Sequence, residues 1–328
     1  MTFFPCRFRF AISTLLGSGL ILTLGVMSMP AFARPAPSRA PYIDDNQMCR
    51  PQPLPAVVQH LTGEAWKLDA KGVSTALEEG MVIDEQESVK TSPDAFVSLL
   101  LGDGSRIVLP SSSQVRLHLV EEQSIPQVIL EEGQVEAYVI KRASDYDRFQ
   151  IVTPVGVLGV RGTHFRVRND GEQSLVEVLN GQVAVNRDDA PPSPRPIKKK
   201  PITGPVAGEV KVGARQGLAF KKQGELKPVE LLDAPRLVGQ DGQKGDAPVW
   251  TLFLRPLAGA QRYRAQVATD KAFLNIKQEN FSDKPQMHFT GLKASFYHVR
   301  LSAYDEHGLE GETGVYDIFY YPPANRVQ

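Results

Sequence analysis

The stretch FQIVTPVGVLGVRGTHFRVR, residues 149–168, decides how this chain folds. It begins and ends with alternating apolar and polar residues, which is the period of a strand that buries one face. Between the two segments lie residues that supply bends, namely Pro154, Gly156, Gly159 and Gly162. The sequence therefore predicts two strands joined by a glycine-rich corner, and Arg161-Gly162-Thr163 begins the second strand.

Similar alternation continues on both sides of this stretch. The residues predicted to point inward are Val97/Leu99/Leu101, Ile107/Leu109, Val115/Leu117/Leu119, Val135/Ala137/Val139, Thr163/Phe165/Val167, Val176/Val178 and Val183/Val185. Turns rich in Gly, Asp or Ser separate these short segments, and no amphipathic helix interrupts them. The pattern predicts an all-β fold, and by itself it leaves a sandwich, a barrel and a solenoid open.

Five motifs in order, from about Val57 to Phe220, resemble the FecR family of exported bacterial domains. They are Gly63-Glu64-Ala65-Trp66, the strand and turn Val97–Ser105, Pro110–Ser113, Leu130–Val135 with Val176–Val183, and the corner V-x-TP-x-G-x-x-G-V-RGT-x-F-x-V. The resemblance implies a β-solenoid-like domain over 57–225, with a Pro-rich loop at 188–205. It also implies structural roles for Arg161, Gly162 and Thr163 at the corner and for Asp103 and Gly104 in a hairpin turn.

The C-terminal part of the protein resembles a fibronectin type III or immunoglobulin-like β-sandwich. Alternation at Trp250/Leu252/Leu254, Tyr263/Ala265/Val267 and Tyr297/Val299/Leu301/Ala303 predicts strands with one buried face. Gly291-Leu292, placed shortly before Tyr297, resembles a tyrosine corner, in which a phenol fixes a loop to the next strand. We predict a linker over 226–246, the sandwich over 247–323, and Trp250 in its core.

The N-terminus predicts export. Arg7 and Arg9 precede an apolar stretch from about Phe10 to Met29, and Ala31-Phe32-Ala33 is an A-x-A cleavage site. We predict a signal peptide over 1–33, cleaved after Ala33, and a flexible Pro-rich arm over 34–56. The alternative is an uncleaved membrane anchor, because about 18 apolar residues are enough to span a bilayer.

Composition narrows the class of protein. The sequence has 37 Lys+Arg and 37 Asp+Glu, so removal of the signal peptide with its two arginines leaves 35 against 37, a net charge of −2. A dedicated nucleic-acid binder would be basic, and we expect no nucleic-acid partner. After cleavage Cys49 is the only cysteine, so no intramolecular disulfide is expected; an unpaired thiol and an intermolecular bridge remain alternatives.

The sequence carries no recognisable catalytic motif, and we predict that the protein is not an enzyme. The six histidines form no HExxH motif and no pair at metal-ligand spacing. The glycines of the corner are followed by no helix and so do not form a phosphate loop. We expect no cofactor and no metal site.

A candidate partner-binding face remains. Alternation places His164, Arg166 and Arg168 on the side of their strand opposite to the core, and it does the same for Arg116 and His118 on another strand. If the strands share a face, these cations could bind carboxylates of an envelope protein or of peptidoglycan. The alternative is an ordinary solvated face whose charge Glu136 and Glu177 balance.

The sequence thus favours a non-catalytic binding or scaffold protein of the Gram-negative periplasm. The alternative is a regulator that relays an envelope or iron-uptake signal, as the best-known FecR proteins do. That role requires a membrane anchor and a cytoplasmic segment, and the sequence gives no sign of the latter.

Overall fold

The computed structural model describes residues 54–120, 125–141, 149–187, 209–243 and 249–321. The described residues all belong to one compact unit, Arg50–Gln328. Within the described residues the fold is all-β, with strands and turns and no helix, as the alternation predicts. The predicted signal peptide, its cleavage site at Ala33, Cys49 and the loop 188–205 lie outside the described residues.

Strands β1 to β17 form what we call the first module. Their bounds are β1 Ala56–Thr62, β2 Ala65–Leu68, β3 Ser74–Ala76, β4 Val82–Ile83, β5 Ser88–Thr91, β6 Phe96–Leu101, β7 Arg106–Leu109, β8 Gln114–Val120, β9 Ile125–Tyr138, β10 Phe149–Thr153, β11 Gly156–Val160, β12 His164–Asn169, β13 Gln173–Asn180, β14 Gln182–Asn186, β15 Glu209–Gly213, β16 Gln216–Lys221 and β17 Val229–Glu230. Successive hairpins alternate between two faces that enclose one core.

The first face has the strand order β4-β1-β6-β7-β9-β12-β13-β16-β17, and the second has the order β3-β2-β5-β8-β9-β10-β11-β14-β15. Strand β9 belongs to both, because it bends at Gly133, whose φ is +80°. A Cβ at Gly133 would lie 2.3 Å from the Ser112 carbonyl oxygen, so only glycine fits this corner. The predicted inward residues fill the core between the faces, and only Leu119 is partly exposed.

Strands β18 to β24 form the second module. Their bounds are β18 Leu237–Gln243, β19 Val249–Leu254, β20 Arg262–Ala268, β21 Ile276–Ser282, β22 Gln286–Thr290, β23 Ser295–Tyr304 and β24 Gly314–Tyr320. They make a three-stranded sheet, β18-β19-β22, and a four-stranded sheet, β21-β20-β23-β24.

The core between these two sheets contains Trp250, which is 2% exposed, as predicted. The Tyr297 hydroxyl donates to the Lys293 carbonyl at 3.0 Å, so this phenol fixes the loop that precedes its strand. The segment predicted as a linker, 226–246, instead contains β17 and β18. Because β18 pairs with β19 along its length, the second module begins before residue 247.

Candidate functional site: a charged face between two modules

The predicted basic face lies on β12, in the middle of the first face of the first module. Arg166 stands opposite Glu136 on β9 and opposite Glu177 on β13, so acid, base and acid form one row across three strands. Cross-strand neighbours on one face have Cβ atoms about 5 Å apart, close enough for opposite charges to attract. The sequence analysis offered as its alternative that Glu136 and Glu177 balance the charge of this face, and these two residues are indeed the neighbours of Arg166.

The face is not solvated, because the second module covers it. Arg166 is 0% exposed, and its Nη1 lies 2.5 Å from the Glu310 Oε1. Its Nη2 donates to the carbonyl oxygens of Glu310 at 2.9 Å and of Gly311 at 2.7 Å. The prediction that Arg166 points into solvent is therefore wrong. Alternation identifies the side that faces away from the core, but it does not show whether another module packs there.

Arg168 also contacts the second module. Its Nη2 donates to the Gly308 carbonyl at 2.5 Å, and its guanidinium lies 5.5 Å from the centre of the Tyr304 ring. The side chain is half-buried. Arg168 and Arg166 thus hold the turn that follows β23 against the face of the first module.

His164 lies at the rim of this contact. Its Nε2 is 2.7 Å from the Glu136 Oε1, and its ring stacks on the Tyr138 ring with centres 4.1 Å apart. The Tyr138 hydroxyl is within hydrogen-bond distance of Glu136 and donates to the Ala272 carbonyl of the second module at 3.0 Å. His164 is half-buried and lines a groove.

Arg116 and His118 lie elsewhere. Both are on β8, which belongs to the second face of the first module, and they do not join the cations of β12. Arg116 pairs with Glu131, and the His118 Nδ1 lies 3.2 Å from the Glu85 Oε1. The predicted five-residue face required β8 and β12 to lie on one face of the first module, and they lie on different faces.

The second module contributes matching charges that the sequence analysis did not single out. Arg300 on β23 donates through both terminal nitrogens to the two oxygens of Glu136, each at 2.6 Å. Gln266 accepts from the Arg300 Nε at 2.8 Å, and Arg264 pairs with Glu279 and with the Glu310 Oε2. A two-pronged arginine–carboxylate contact is both strong and directional.

Burial and nearby charges shift the pKa values of the carboxyl groups in this contact in opposite directions. Burial would raise the pKa of Glu136, but Arg300 and His164 outweigh it and hold the pKa well below its usual range. At Glu310, burial is likewise outweighed by Arg166 and Arg264, which lower the pKa to about 2. Both groups are therefore carboxylates at neutral pH.

Glu177 behaves differently. Burial raises its pKa to about 7, although Arg166 and Arg168 act in the opposite direction. Its Oε1 accepts from the Glu310 amide at 3.1 Å, while its Oε2 has no hydrogen-bond partner within the described residues. Arg166 is bonded to Glu310, and Glu177 forms no ion pair with a described residue, so the arginines compensate its charge only in part.

Two apolar clusters flank the charged centre. One joins Phe96 and Val108 of the first module to Ala268, Phe273 and Ile276 of the second. The other joins Leu175 and Leu231 to Leu309. Apolar burial on both sides excludes water from the ion pairs, which strengthens their attraction but makes an unpaired charge expensive.

The motif residues occupy turns beside this contact. Gly162 has φ = +66° and Gly104 has φ = +88°, the left-handed region that the two turns require. The Thr163 hydroxyl donates to the Gln182 carbonyl at 3.0 Å, and the Asp103 Oδ1 accepts from the Ser105 amide at 2.8 Å. Arg161 is half-buried at the corner.

Neither a metal site nor a membrane-crossing helix is found among the residues that the structure describes. They contain no cluster of three or more His, Cys, Asp or Glu side chains placed to hold a metal ion. They also contain no helix long and apolar enough to cross a membrane.

Comparison with known proteins gives one family match. The model of the family described as FecR protein matches residues 87–184, which is less than half of the sequence. No curated protein matches.

Solved structures with some similarity include two of a protein provisionally described as an anti-sigma factor from Parabacteroides distasonis. Each is 16% identical, with TM-scores of 0.33 and 0.34, and the match spans 44% of the present protein and 59% of that one. The extracellular domain of a protein provisionally described as a one-component system from B. thetaiotaomicron is 11% identical over 81% of the present protein and 51% of its own length, with a TM-score of 0.17. The FecR match is the one that bears on the site, because residues 87–184 include Glu136, Arg166 and Glu177.

Proposed function

We propose that this protein is a non-catalytic exported binding or scaffold protein of the Gram-negative periplasm, which acts through contacts with an envelope protein or with peptidoglycan. One observation carries the proposal: the central face of the FecR-like module packs against the second module of the same protein. It binds the sheet of a second module through Arg–Glu pairs, buried backbone contacts and two apolar clusters. Such a contact has the anatomy of a protein–protein interface.

The finer description of the fold belongs to the same proposal. Hairpins that alternate between two faces support a β-solenoid-like first module, in which each hairpin packs on the next. A three-stranded and a four-stranded sheet with a fixed tyrosine support a fibronectin type III-like second module. Both architectures serve as interaction modules in many proteins, although fold alone does not give function.

Crosslinking in intact cells, followed by fractionation and mass spectrometry, tests the proposal. We expect the mature protein, beginning at Arg34, in the periplasmic extract and crosslinked reproducibly to one envelope component. The control is Trp250→Asp, which places a charge in the core of the second module and should remove any contact that needs the folded protein. Recovery of the protein without a crosslinked partner, or with the same partner after Trp250→Asp, would contradict the proposal.

The second candidate function is a regulator that relays an envelope signal. The FecR match over 87–184 favours it. The same fractionation separates the two candidates, because a regulator of this kind keeps Met1 and is recovered with the membrane.

A further inference from the structure

A groove opens where the charged contact between the modules ends. It is wide open to solvent, has a volume of about 450 Å³ and lies above a row of residues that crosses β7, β9, β12 and β13. The pairing puts Arg106 opposite Tyr138, Tyr138 opposite His164, and His164 opposite Asn180. The turns that contain Gly104 and Gly162 form its sides. Its volume is within the usual range for ligand pockets, about 300–1,000 Å³.

The groove presents cationic and neutral donors. Arg106 is exposed and has no ion pair with any described residue, and Asn180 is exposed beside it. Glu136, the acid beneath the groove, is engaged by Arg300, His164 and Tyr138. Asp103, in the flanking turn, directs its Oδ1 to the Ser105 amide. The charge of Arg106 is thus available to a ligand.

The floor of the groove is held in place. Tyr138 is fixed at its hydroxyl by the second module, and His164 is fixed at Nε2 by Glu136, so the stacked rings have little freedom. A side chain that is already ordered loses less entropy when a ligand binds. Because the Glu136 carboxylate only accepts, His164 Nε2 carries the proton of their contact, and Nδ1 of the neutral ring is an acceptor for an N–H of a ligand. Ile140, 42% exposed, adds an apolar contact.

We propose that this groove binds the carboxylate of a peptide, with Arg106 as the charged donor, Asn180 as a neutral donor and the Nδ1 of His164 as the acceptor for an adjoining peptide N–H. The inference rests on the proposed binding function and names the chemistry of its partner. A guanidinium recognises a carboxylate through two parallel hydrogen bonds, and the aromatic floor accepts the adjoining peptide plane. The C-terminus of a peptide and an acidic side chain within it offer the same group.

The test is a titration of the full-length protein monitored by NMR of its six histidine imidazoles. The His164 signal is assigned by its loss in His164→Gln. The probes are N-acetyl-triglycine, with a C-terminal carboxylate, its C-terminal amide, without one, and N-acetyl-glutamyl-glycinamide, with a side-chain carboxylate only. We expect one or both carboxylates to shift the His164 signal and the amide to leave it in place. Which carboxylate binds more tightly identifies the source.

Matched variants complete the test. Arg106→Gln should weaken carboxylate binding about tenfold or more, the factor expected for one charge-assisted hydrogen-bonded contact. Arg255→Gln removes an exposed arginine outside the groove and should leave binding unchanged. The proposal is overturned if no carboxylate shifts His164, if the amide binds equally well, or if Arg106→Gln binds like the wild type.

Two failures are distinguishable. Loss of peptide binding with the cellular partner retained would reject the groove and keep the proposed function. Peptide binding without any cellular partner would reject the scaffold role and keep the groove.

Discussion

At the scale of single residues, the charged contact contains one group that is poorly compensated. Glu136 faces an arginine and a histidine, and Glu310 faces two arginines. Glu177, by contrast, faces arginines that make their shortest contacts with other residues. Its pKa of about 7 is above the ordinary value of 4.5. A raised carboxyl pKa stabilises the fold at low pH, and that stability is lost as the pH rises through the folded-state value.

Glu177→Gln should therefore change the pH dependence of unfolding. In the wild type, Glu177 makes the free energy of unfolding fall between about pH 4.5 and pH 7, by up to about 3 kcal/mol. Glutamine keeps the shape and cannot ionise, so the variant should be the more stable protein at pH 8. Urea unfolding at pH 5 and pH 8 measures this, with Glu172→Gln, on the exposed turn before β13, as the control for loss of one acid. If the wild type is more stable than Glu177→Gln at pH 8, the raised pKa of Glu177 is contradicted.

At the scale of strands and turns, the corner before β12 fixes where the charged row lies. Gly162 has a positive φ, and a Cβ there would lie 2.9 Å from Lys141. Gly171, in the turn between β12 and β13, also has a positive φ, +92°, but a Cβ there would meet nothing within 4 Å. Both glycines have left-handed backbone, but only at Gly162 would an added Cβ meet neighbouring atoms.

Gly162→Ala should consequently destabilise the fold more than Gly171→Ala. Left-handed backbone alone costs about 1–2 kcal/mol for a residue with a Cβ, and crowding adds about 1–3 kcal/mol. We expect about 1 kcal/mol for Gly171→Ala and about 3 kcal/mol for Gly162→Ala, measured by thermal or chemical unfolding. Equal losses would show that the corner is not crowded.

Much of the structure at the scale of strands and turns could be predicted from the sequence. Period-two alternation identified the residues of β6, β7, β12 and β13 that face the core of the first module, because a strand with one apolar face has few other ways to fold. The glycine-rich corner before β12 and the tyrosine that fixes the loop before β23 were recognisable as local motifs. Alternation could not place Arg116 relative to Arg166, because the bend of β9 at Gly133 assigns β8 and β12 to different faces.

At the scale of the whole molecule, the sequence interpretation missed the contact between the modules. A signal was present: Arg264 and Arg300 alternate with the buried Ala265 and Leu301 just as Glu136 and Arg166 alternate with Ala137 and Phe165. Two sheets whose outer faces carry complementary acids and bases can bind each other, but each pattern alone is also that of a solvated face. The choice depends on three-dimensional pairing, which one sequence does not display.

The contact also changes what substitutions at the basic face are expected to do. An exposed arginine can be replaced at little cost, but a buried pair that loses one partner leaves an uncompensated charge, which costs about 3–5 kcal/mol. Loss of a partner by an Arg166 variant would therefore not identify a binding surface, because the same variant loosens the modules.

A double-mutant cycle on Glu136 and Arg300 tests the central claim most directly, since the two residues belong to different modules and lie far apart in sequence. We predict that Glu136→Ala and Arg300→Ala each lower the free energy of unfolding by about 3–5 kcal/mol, because each leaves a buried charge. The double variant should lose about as much as either single one, giving a coupling energy above about 2 kcal/mol. Additive losses, with coupling within about 0.5 kcal/mol, would contradict a buried charged contact between the two modules.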